Sequence, residues 1–154
     1  MADASIEDIK RLRQLTGVGI TDAKQALLQA AGDFDKALEA MRQQGLTKAS
    51  KRAEREARAG LIGSYVHDGR IGVLIELNCE TDFVAKTDEF KNLVKDLTLH
   101  VAASDPENQA ALMQQPFVKN PEQTVESYVK EHIAKLGENI IVRRYARFER
   151  GETV

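Results

Sequence analysis

The hydrophobic residues in the first third of the chain recur at the three- and four-residue spacing of amphipathic helices. This spacing occurs over residues 6–15, 23–30 and 34–41. A unit of about 40 residues is marginal in stability on size alone, so the three segments are expected to share one small core. The pattern predicts a compact three-helix domain over residues 1–46.

Capping and helix-breaking residues separate these segments. The expected N-caps are Ser5, Thr21 and Asp33. The glycines expected to interrupt or end helices are Gly17, Gly19, Gly32 and Gly45. After the last of these glycines, charged residues alternate with alanine, a composition that favours helix without a buried face. Residues 47–59 are therefore predicted to form a solvated helical linker.

From residue 60 the hydrophobic spacing changes from helical to alternating. Two β-rich runs flank Asp68-Gly69 in the stretch LIGSYVHDGRIGVLIELN, and this dipeptide is a strong hairpin signal. The alternating residues that share one face of the second run are Val73, Ile75 and Leu77. An amphipathic helical stripe follows over residues 90–101, and Thr87 is its expected N-cap.

The last third of the chain predicts a loop, a helix and a strand. Residues 104–123 contain all three prolines and are predicted to be mostly loop, with a helical turn around residues 110–113; residues 125–136 are predicted to be helical. Residues 139–149 alternate and predict a third strand. Its expected faces carry Ile140, Val142, Ala146 and Phe148 on one side, and Ile141, Arg143, Tyr145 and Arg147 on the other. The fold class is therefore α+β, with an antiparallel sheet backed by helices in a core over residues 60–154.

Composition and charge disfavour several classes of function. The chain has 22 basic and 24 acidic residues and a net charge of −2, so its overall field offers no general attraction to nucleic acid or membrane. It contains no apolar run of the length, about 18 residues, that indicates a transmembrane helix. The single cysteine, Cys79, cannot form an internal disulfide, and the N-terminus lacks the features of a signal peptide. We therefore expect a cytoplasmic protein without direct nucleic-acid or membrane binding.

The sequence shows no constellation typical of an active site. The conceivable bases for a thiol nucleophile at Cys79 are His67, His100 and His132. No local pattern orients these histidines, so a small buried thiol is the favoured interpretation. Their spacing does not resemble a metal site, and no phosphate-binding or dinucleotide-binding glycine motif is present. We expect no catalytic residue, no metal and no cofactor.

The most informative stretch is NCETDFVAK, residues 78–86, at the junction between a predicted strand and a predicted helix. One interpretation is a helix start in which Thr81 or Asp82 is the cap and Phe83 packs onto its own sheet. The other is a protruding knuckle that presents an aromatic anchor and an acid to a partner protein. The spacing alone leaves both interpretations open.

Several blocks of the chain resemble the bacterial elongation factor Ts family, the guanine-nucleotide exchange factors for elongation factor Tu. The blocks are LNCETDFVAK, IKRLRQLTGVGITDAKQAL, GDFDKALEAMRQQG, GSYVHDGRIGVL, QPFVKNP and AKLGENIIVRRYARFE. They cover most of the chain in the order of the family. The resemblance implies an N-terminal domain similar to ubiquitin-associated domains, a linker, and a core with a three-stranded antiparallel sheet.

The resemblance also implies how the chain acts on elongation factor Tu. The element expected to press on the G domain beside its magnesium site is Thr81, Asp82, Phe83 and Val84. Phe83 is expected to insert between two partner helices, and Asp82 to help displace the groups that hold the magnesium water shell. The residues expected to grip another helix of the G domain are Arg13, Thr16, Gly17, Val18, Gly19, Ile20 and Thr21.

The chain departs from the family pattern in two respects. Many relatives carry two methionines where this chain has Ile20 and Thr21. Longer members have a duplicated core and a coiled-coil hairpin that this sequence does not display, so we expect a homodimer through the core sheet or its edge and a complex of two factors with two G proteins. The alternative is an adaptor without exchange activity, because GDFDKALEAMRQQG also resembles the third helix of ubiquitin-binding domains.

Overall fold

A computed structural model describes residues 4–153 of the chain, which form a helical N-terminal unit and an α+β core. The N-terminal helices are α1 (Ile6–Thr16), α2 (Ile20–Gln29) and α3 (Phe34–Arg52). The helices of the core are α4 (Asp82–Ala85), α5 (Asp88–Ser104), α6 (Gln109–Gln114) and α7 (Val125–Leu136). The strands are β1 (Ala59–His67), β2 (Ile71–Cys79), β3 (Pro116–Phe117), β4 (Asn120–Thr124) and β5 (Ile141–Glu149). The predicted α+β class is confirmed.

Two of the three predicted N-terminal caps are confirmed. Ser5 Oγ accepts a hydrogen bond from the Asp8 amide at 3.0 Å, and Asp33 Oδ1 accepts one from the Lys36 amide at 3.1 Å. The prediction for Thr21 is wrong, because α2 begins at Ile20 with Gly19 as its extended N-cap. Gly19 already supplies the first helical carbonyl, so Thr21 lies within the first turn.

The prediction that Gly45 ends the third helix is wrong. Helix α3 continues through Gly45 to Arg52 and is 19 residues long. A Cβ at Gly45 would lie 3.0 Å from Ala134 Cβ on α7, and Ala49, one turn further on, is buried. The glycine therefore permits close packing of α3 against α7. In the predicted linker, residues 47–59, helix is observed only up to Arg52. The division of the chain into domains over residues 1–46, 47–59 and 60–154 stays a prediction.

The main sheet has the strand order β1-β2-β5, with both pairs antiparallel. The predicted hairpin is confirmed: Asp68 and Gly69 both have positive φ, 52° and 63°, and the Arg70 amide donates to the His67 carbonyl at 2.9 Å. Helix α5 packs on one face of this sheet, and α7 packs against both α5 and α3. The inner face and these helices form the larger hydrophobic core.

The predicted faces of the third strand are wrong after Val142. Glu76 pairs with Arg144 but the next residue, Leu77, pairs with Val142, so Arg143 is an extra residue that bulges from the ladder. The Arg143 guanidinium donates to Asn78 Oδ1 at 3.0 Å. Because the bulge reverses the alternation, Val142 is buried whereas Phe148 is 72% exposed on the outer face.

The segment predicted to be mostly loop contains more regular structure than expected. The predicted helical turn is confirmed as α6, with Asn108 as its N-cap. The β3–β4 hairpin was not predicted, because each strand contains a proline and the pairing covers few residues. Leu112 and Phe117 anchor this segment in the core.

The buried His100 gives the core a dependence on pH. Its Nδ1 accepts from the Val118 amide at 3.2 Å, and its Nε2 lies 2.9 Å from Gln115 Oε1, an arrangement that requires neutral imidazole protonated on Nε2. Burial lowers the pKa of His100, although the bond to Gln115 acts in the opposite direction.

We predict that the free energy of unfolding falls as the pH drops below about 6.5, because the unfolded state then gains a proton that folded His100 resists. This loss should be complete below the folded pKa. Urea unfolding between pH 7.5 and 5 would measure it, with His100→Gln as the comparison. An unchanged pH dependence in His100→Gln would contradict the assignment.

Candidate partner-binding site

The segment Thr81–Val84, called the knuckle below, protrudes from the core directly after β2. Thr81 is the N-cap of the one-turn helix α4, and its Oγ1 accepts from the Val84 amide at 3.4 Å. Asp82 is exposed, and Phe83 is 87% exposed. The predicted cap is confirmed, but the interpretation in which Phe83 packs onto its own sheet is wrong.

The base of the knuckle is anchored although its tip is exposed. Val84 is half-buried against the core, and Ala85 is buried. Thr87 Oγ1 donates to the Val84 carbonyl at 2.7 Å and accepts from the Phe90 amide at 3.2 Å, which joins the end of α4 to the start of α5. The exposed aromatic ring therefore stands on a backbone with well-defined contacts.

Cys79 lies beneath the knuckle and is poorly suited to nucleophilic chemistry. Its side chain is fully buried, and its Sγ–H donates to the Thr81 carbonyl at 3.2 Å. Burial raises the pKa of this thiol to about 11, with the nearby Glu138 charge acting in the same direction. Since the thiolate is the nucleophile, the thiol-enzyme interpretation has little support from this geometry.

The second predicted surface is the segment of residues 16–21, called the N-terminal loop below, in which residues 17–19 connect the end of α1 to the start of α2. Gly17 ends α1 in the left-handed conformation, with φ of 71°, and its amide donates to the Arg13 carbonyl at 2.8 Å. Arg13 Nε donates to the Val18 carbonyl at 3.4 Å. Ile20 is 60% exposed and Thr21 is exposed, so both are accessible to a partner.

The N-terminal loop packs against α7 of the core. A Cβ built at Gly17 would lie 2.9 Å from Lys135 Cγ. A cavity of about 310 Å³ lies beside this contact. Its lining includes Thr16 and Val18 from the loop and Glu131 and His132 from α7. The structure thus brings the loop to the helix whose C-terminal end also approaches the knuckle.

Sequence reasoning missed Glu138, which lies directly after the glycine that ends α7. Its carboxylate accepts hydrogen bonds from the backbone and hydroxyl of Thr81. The only local signal was an acid following a helix-ending glycine, and that pattern does not indicate which distant segment the acid contacts.

Two kinds of feature are absent from residues 4–153, the part of the chain that the structure describes. Across residues 4–153, no group of three or more histidine, cysteine, aspartate or glutamate side chains is arranged to hold a metal ion. Over the same residues, no helix has the length and apolarity needed to cross a membrane. The exposed features of the candidate site are therefore an aromatic ring, an acid and a glycine-containing loop.

Comparison with known proteins gives the family of this chain. Residues 80–154, from the base of the knuckle onward, match the family model described as "Elongation factor TS". The protein called Elongation factor Ts of Thermoanaerobacter sp. (strain X514) is 39% identical, with 97% of this chain and 96% of the relative covered. The chain belongs to the elongation factor Ts family. The protein of the same name from Moorella thermoacetica is 42% identical, with 96% and 95% covered.

This member of the elongation factor Ts family is shorter than the aligned regions of these relatives. The alignment with the Thermoanaerobacter protein extends over 196 residues, whereas this chain has 154. Part of that relative is therefore aligned with gaps and has no counterpart here. The elements that carry the knuckle, β2, α4 and α5, are all present in the structure.

We predict that Gly17→Ala destabilises the chain by about 1–2 kcal/mol, because an L side chain is strained at positive φ and would also crowd Lys135. Gly72→Ala is the matched control, since Gly72 does not have positive φ and an added Cβ would meet no atom within 4 Å beyond its chain neighbours. Urea unfolding of both variants would measure the difference. Equal destabilisation of the two variants would refute the proposed role of the Gly17 conformation.

Proposed function

We propose that this chain is a guanine-nucleotide exchange factor that promotes GDP release from elongation factor Tu during translation elongation in the cytoplasm. The observation that carries the proposal is the exposure of Phe83 on an anchored one-turn helix in a member of the elongation factor Ts family. Exposed aromatic residues on fixed backbones are effective anchors in protein interfaces. The chain acts by contact and needs no cofactor of its own.

The knuckle acts on the magnesium and phosphate site of the partner. Phe83 inserts between side chains of two partner helices, and Asp82 displaces groups that hold the magnesium water shell. Thr81 and Val84 complete this contact by holding the turn that presents both side chains. Because the metal and backbone amides neutralise the diphosphate, displacing the metal leaves the phosphate charges less compensated and weakens GDP binding.

Burial of Phe83 alone contributes too little free energy to account for GDP release, so a second contact with the partner is required. Burying one phenylalanine contributes about 1.5–3 kcal/mol. Weakening GDP binding a thousandfold requires about 4.1 kcal/mol of coupling. The N-terminal loop and the adjacent Arg13 supply the remaining coupling free energy by gripping another helix of the G domain. The residues of this grip are Arg13, Thr16, Gly17, Val18, Gly19, Ile20 and Thr21. Coupling is reciprocal, so the nucleotide weakens binding of the factor by the same ratio and permits its release.

We further propose that the factor is a homodimer that forms a complex of two factors with two G proteins. Support comes from the outer face of the main sheet, which no helix of the described residues covers. Its exposed apolar residues are Ile62, Val66, Leu74 and Phe148. The strand register places Phe148 opposite Gly72 and Gly72 opposite Val66, and Leu74 lies two residues further along β2 on the same face, so Val66, Leu74 and Phe148 are neighbours on the outer face. A contiguous apolar patch of this kind is typical of an interface.

We predict that the wild-type chain accelerates release of fluorescent GDP from elongation factor Tu, and that Phe83→Ala slows this release roughly 10- to 100-fold through loss of the buried ring. Stopped-flow fluorescence would measure the rates, with Asp82→Ala tested in parallel. Val118→Ala is the control for truncation of a partly exposed apolar side chain elsewhere. A folded wild-type chain that leaves GDP release unchanged would reject the proposal and favour the adaptor interpretation.

We predict that Phe148→Glu converts the dimer into a monomer, because a charge in the apolar patch carries a desolvation cost in the interface. Sedimentation velocity would measure the oligomeric state. Phe83→Glu is the matched control, since it places the same charge at an exposed phenylalanine outside the patch and should leave the dimer intact. A monomeric wild-type chain would contradict the dimer.

A further inference from the structure

The carboxylate of Glu138 accepts three hydrogen bonds, two from Thr81, the first residue of the knuckle, and one from the preceding residue, Glu80. Its Oε2 accepts from the backbone amides of Glu80 and Thr81, both at 3.0 Å, and its Oε1 accepts from Thr81 Oγ1 at 2.6 Å. Hydrogen bonds to a charged acceptor are stronger than those between neutral groups. One side chain, 57 residues away in sequence, therefore holds both the backbone and the hydroxyl of Thr81.

The hydrogen bond to Glu138 also orients the cap of α4. A threonine hydroxyl has one proton to donate and lone pairs to accept. Because Thr81 Oγ1 donates its proton to Glu138, its lone pairs remain available to the Val84 amide, which lies 3.4 Å away. The carboxylate thus favours the hydroxyl orientation in which Thr81 caps the helix that carries Phe83.

A second set of contacts holds the turn that contains Glu138. Glu80 Oε1 accepts from the Asn139 amide at 2.7 Å, so the two segments bind each other reciprocally. The buried Asn139 side chain donates to the carbonyls of Ala53 at 3.3 Å and Arg55 at 2.7 Å, just beyond α3. The turn therefore contacts both the knuckle and the segment that leads from the N-terminal unit.

The same end of α7 contacts the N-terminal loop. Lys135 lies against Gly17, and the Ile133 carbonyl accepts from Arg52 Nη1 at 3.2 Å. Gly137 has a φ of 77° and ends α7 in the left-handed conformation, which directs the chain from the loop contact into Glu138. Only a short segment of backbone, residues 135–138, separates the contact with the loop from the contact with the knuckle.

We propose that Glu138 is a positioning residue for nucleotide exchange, which holds the knuckle in its active geometry and at a set position relative to the N-terminal loop. This inference rests on the function proposed above. Without the carboxylate, the amides of Glu80 and Thr81 lose their acceptor and Phe83 samples more orientations. Ordering the knuckle on binding then costs free energy that the wild-type chain does not expend.

The first test compares GDP release from elongation factor Tu with wild-type chain, Glu138→Gln and Glu138→Ala. We expect release about tenfold slower with either variant, as the loss of one charge-assisted contact implies. Gln is not expected to rescue, because it is uncharged: its amide oxygen can still accept from the two backbone N–H groups, but its NH2 group cannot accept the proton of the Thr81 hydroxyl. Glu126→Gln, at the opposite end of α7, is the matched control and should release GDP at the wild-type rate.

A double-mutant cycle separates positioning from general destabilisation. If Glu138 acts through the knuckle, adding Glu138→Ala to Phe83→Ala should slow release little further. A purely structural defect would slow release by the same factor in both backgrounds and would overturn the inference. Amide hydrogen exchange of the free variants provides a second readout, with faster exchange expected at Glu80, Thr81 and Val84 and unchanged exchange in the inner strand β2.

The outcomes distinguish this inference from the proposed function. If the wild-type chain accelerates GDP release and both Glu138 variants match it, the positioning role is refuted and the exchange function stands. If the wild-type chain does not accelerate release, the exchange function fails and the positioning role fails with it. If both Glu138 variants slow release, and Glu138→Ala adds little to the slowing already caused by Phe83→Ala, Glu138 is established as the residue that holds the knuckle.

Discussion

The close contact between α3 and α7 is the constraint on which the arrangement of the two candidate surfaces depends. Gly45 lies where a Cβ would come within 3.0 Å of Ala134 Cβ, so a larger residue would push the two helices apart. The contact brings the N-terminal unit against the helix that ends beside the knuckle. A glycine that costs helix stability within α3 is therefore compensated by tertiary packing.

The knuckle shows how a very short helix can present an exposed aromatic residue reliably. Helix α4 has only four residues and is far too short to be stable alone. Its conformation depends on the buried Ala85, the half-buried Val84 and the hydrogen bonds that Thr81 donates to Glu138. An aromatic ring on such a base loses little conformational freedom when a partner binds, which favours affinity.

The two faces of the main sheet have different roles because helices cover only one of them. Helix α5 approaches the inner face so closely that a Cβ at Gly63 would lie 2.4 Å from Val94 Cγ1. The outer face retains an apolar patch, and the bulge at Arg143 adds Phe148 to it. A single extra residue in β5 thus changes which side chains pack inside the protein and which remain exposed on the outer face.

The sequence by itself determined the features that depend on neighbouring residues: helical periodicity, the cap at Thr87, the hairpin at Asp68-Gly69, the α+β class and the resemblance of the knuckle to a known family. Tertiary structure decided that Gly45 lies within a helix, that Phe148 faces outward and that Glu138 holds the knuckle. Local patterns reflect backbone preferences and spacing over a few residues. These other features arise from contacts between segments far apart in the chain, and no local pattern specifies which distant segments meet.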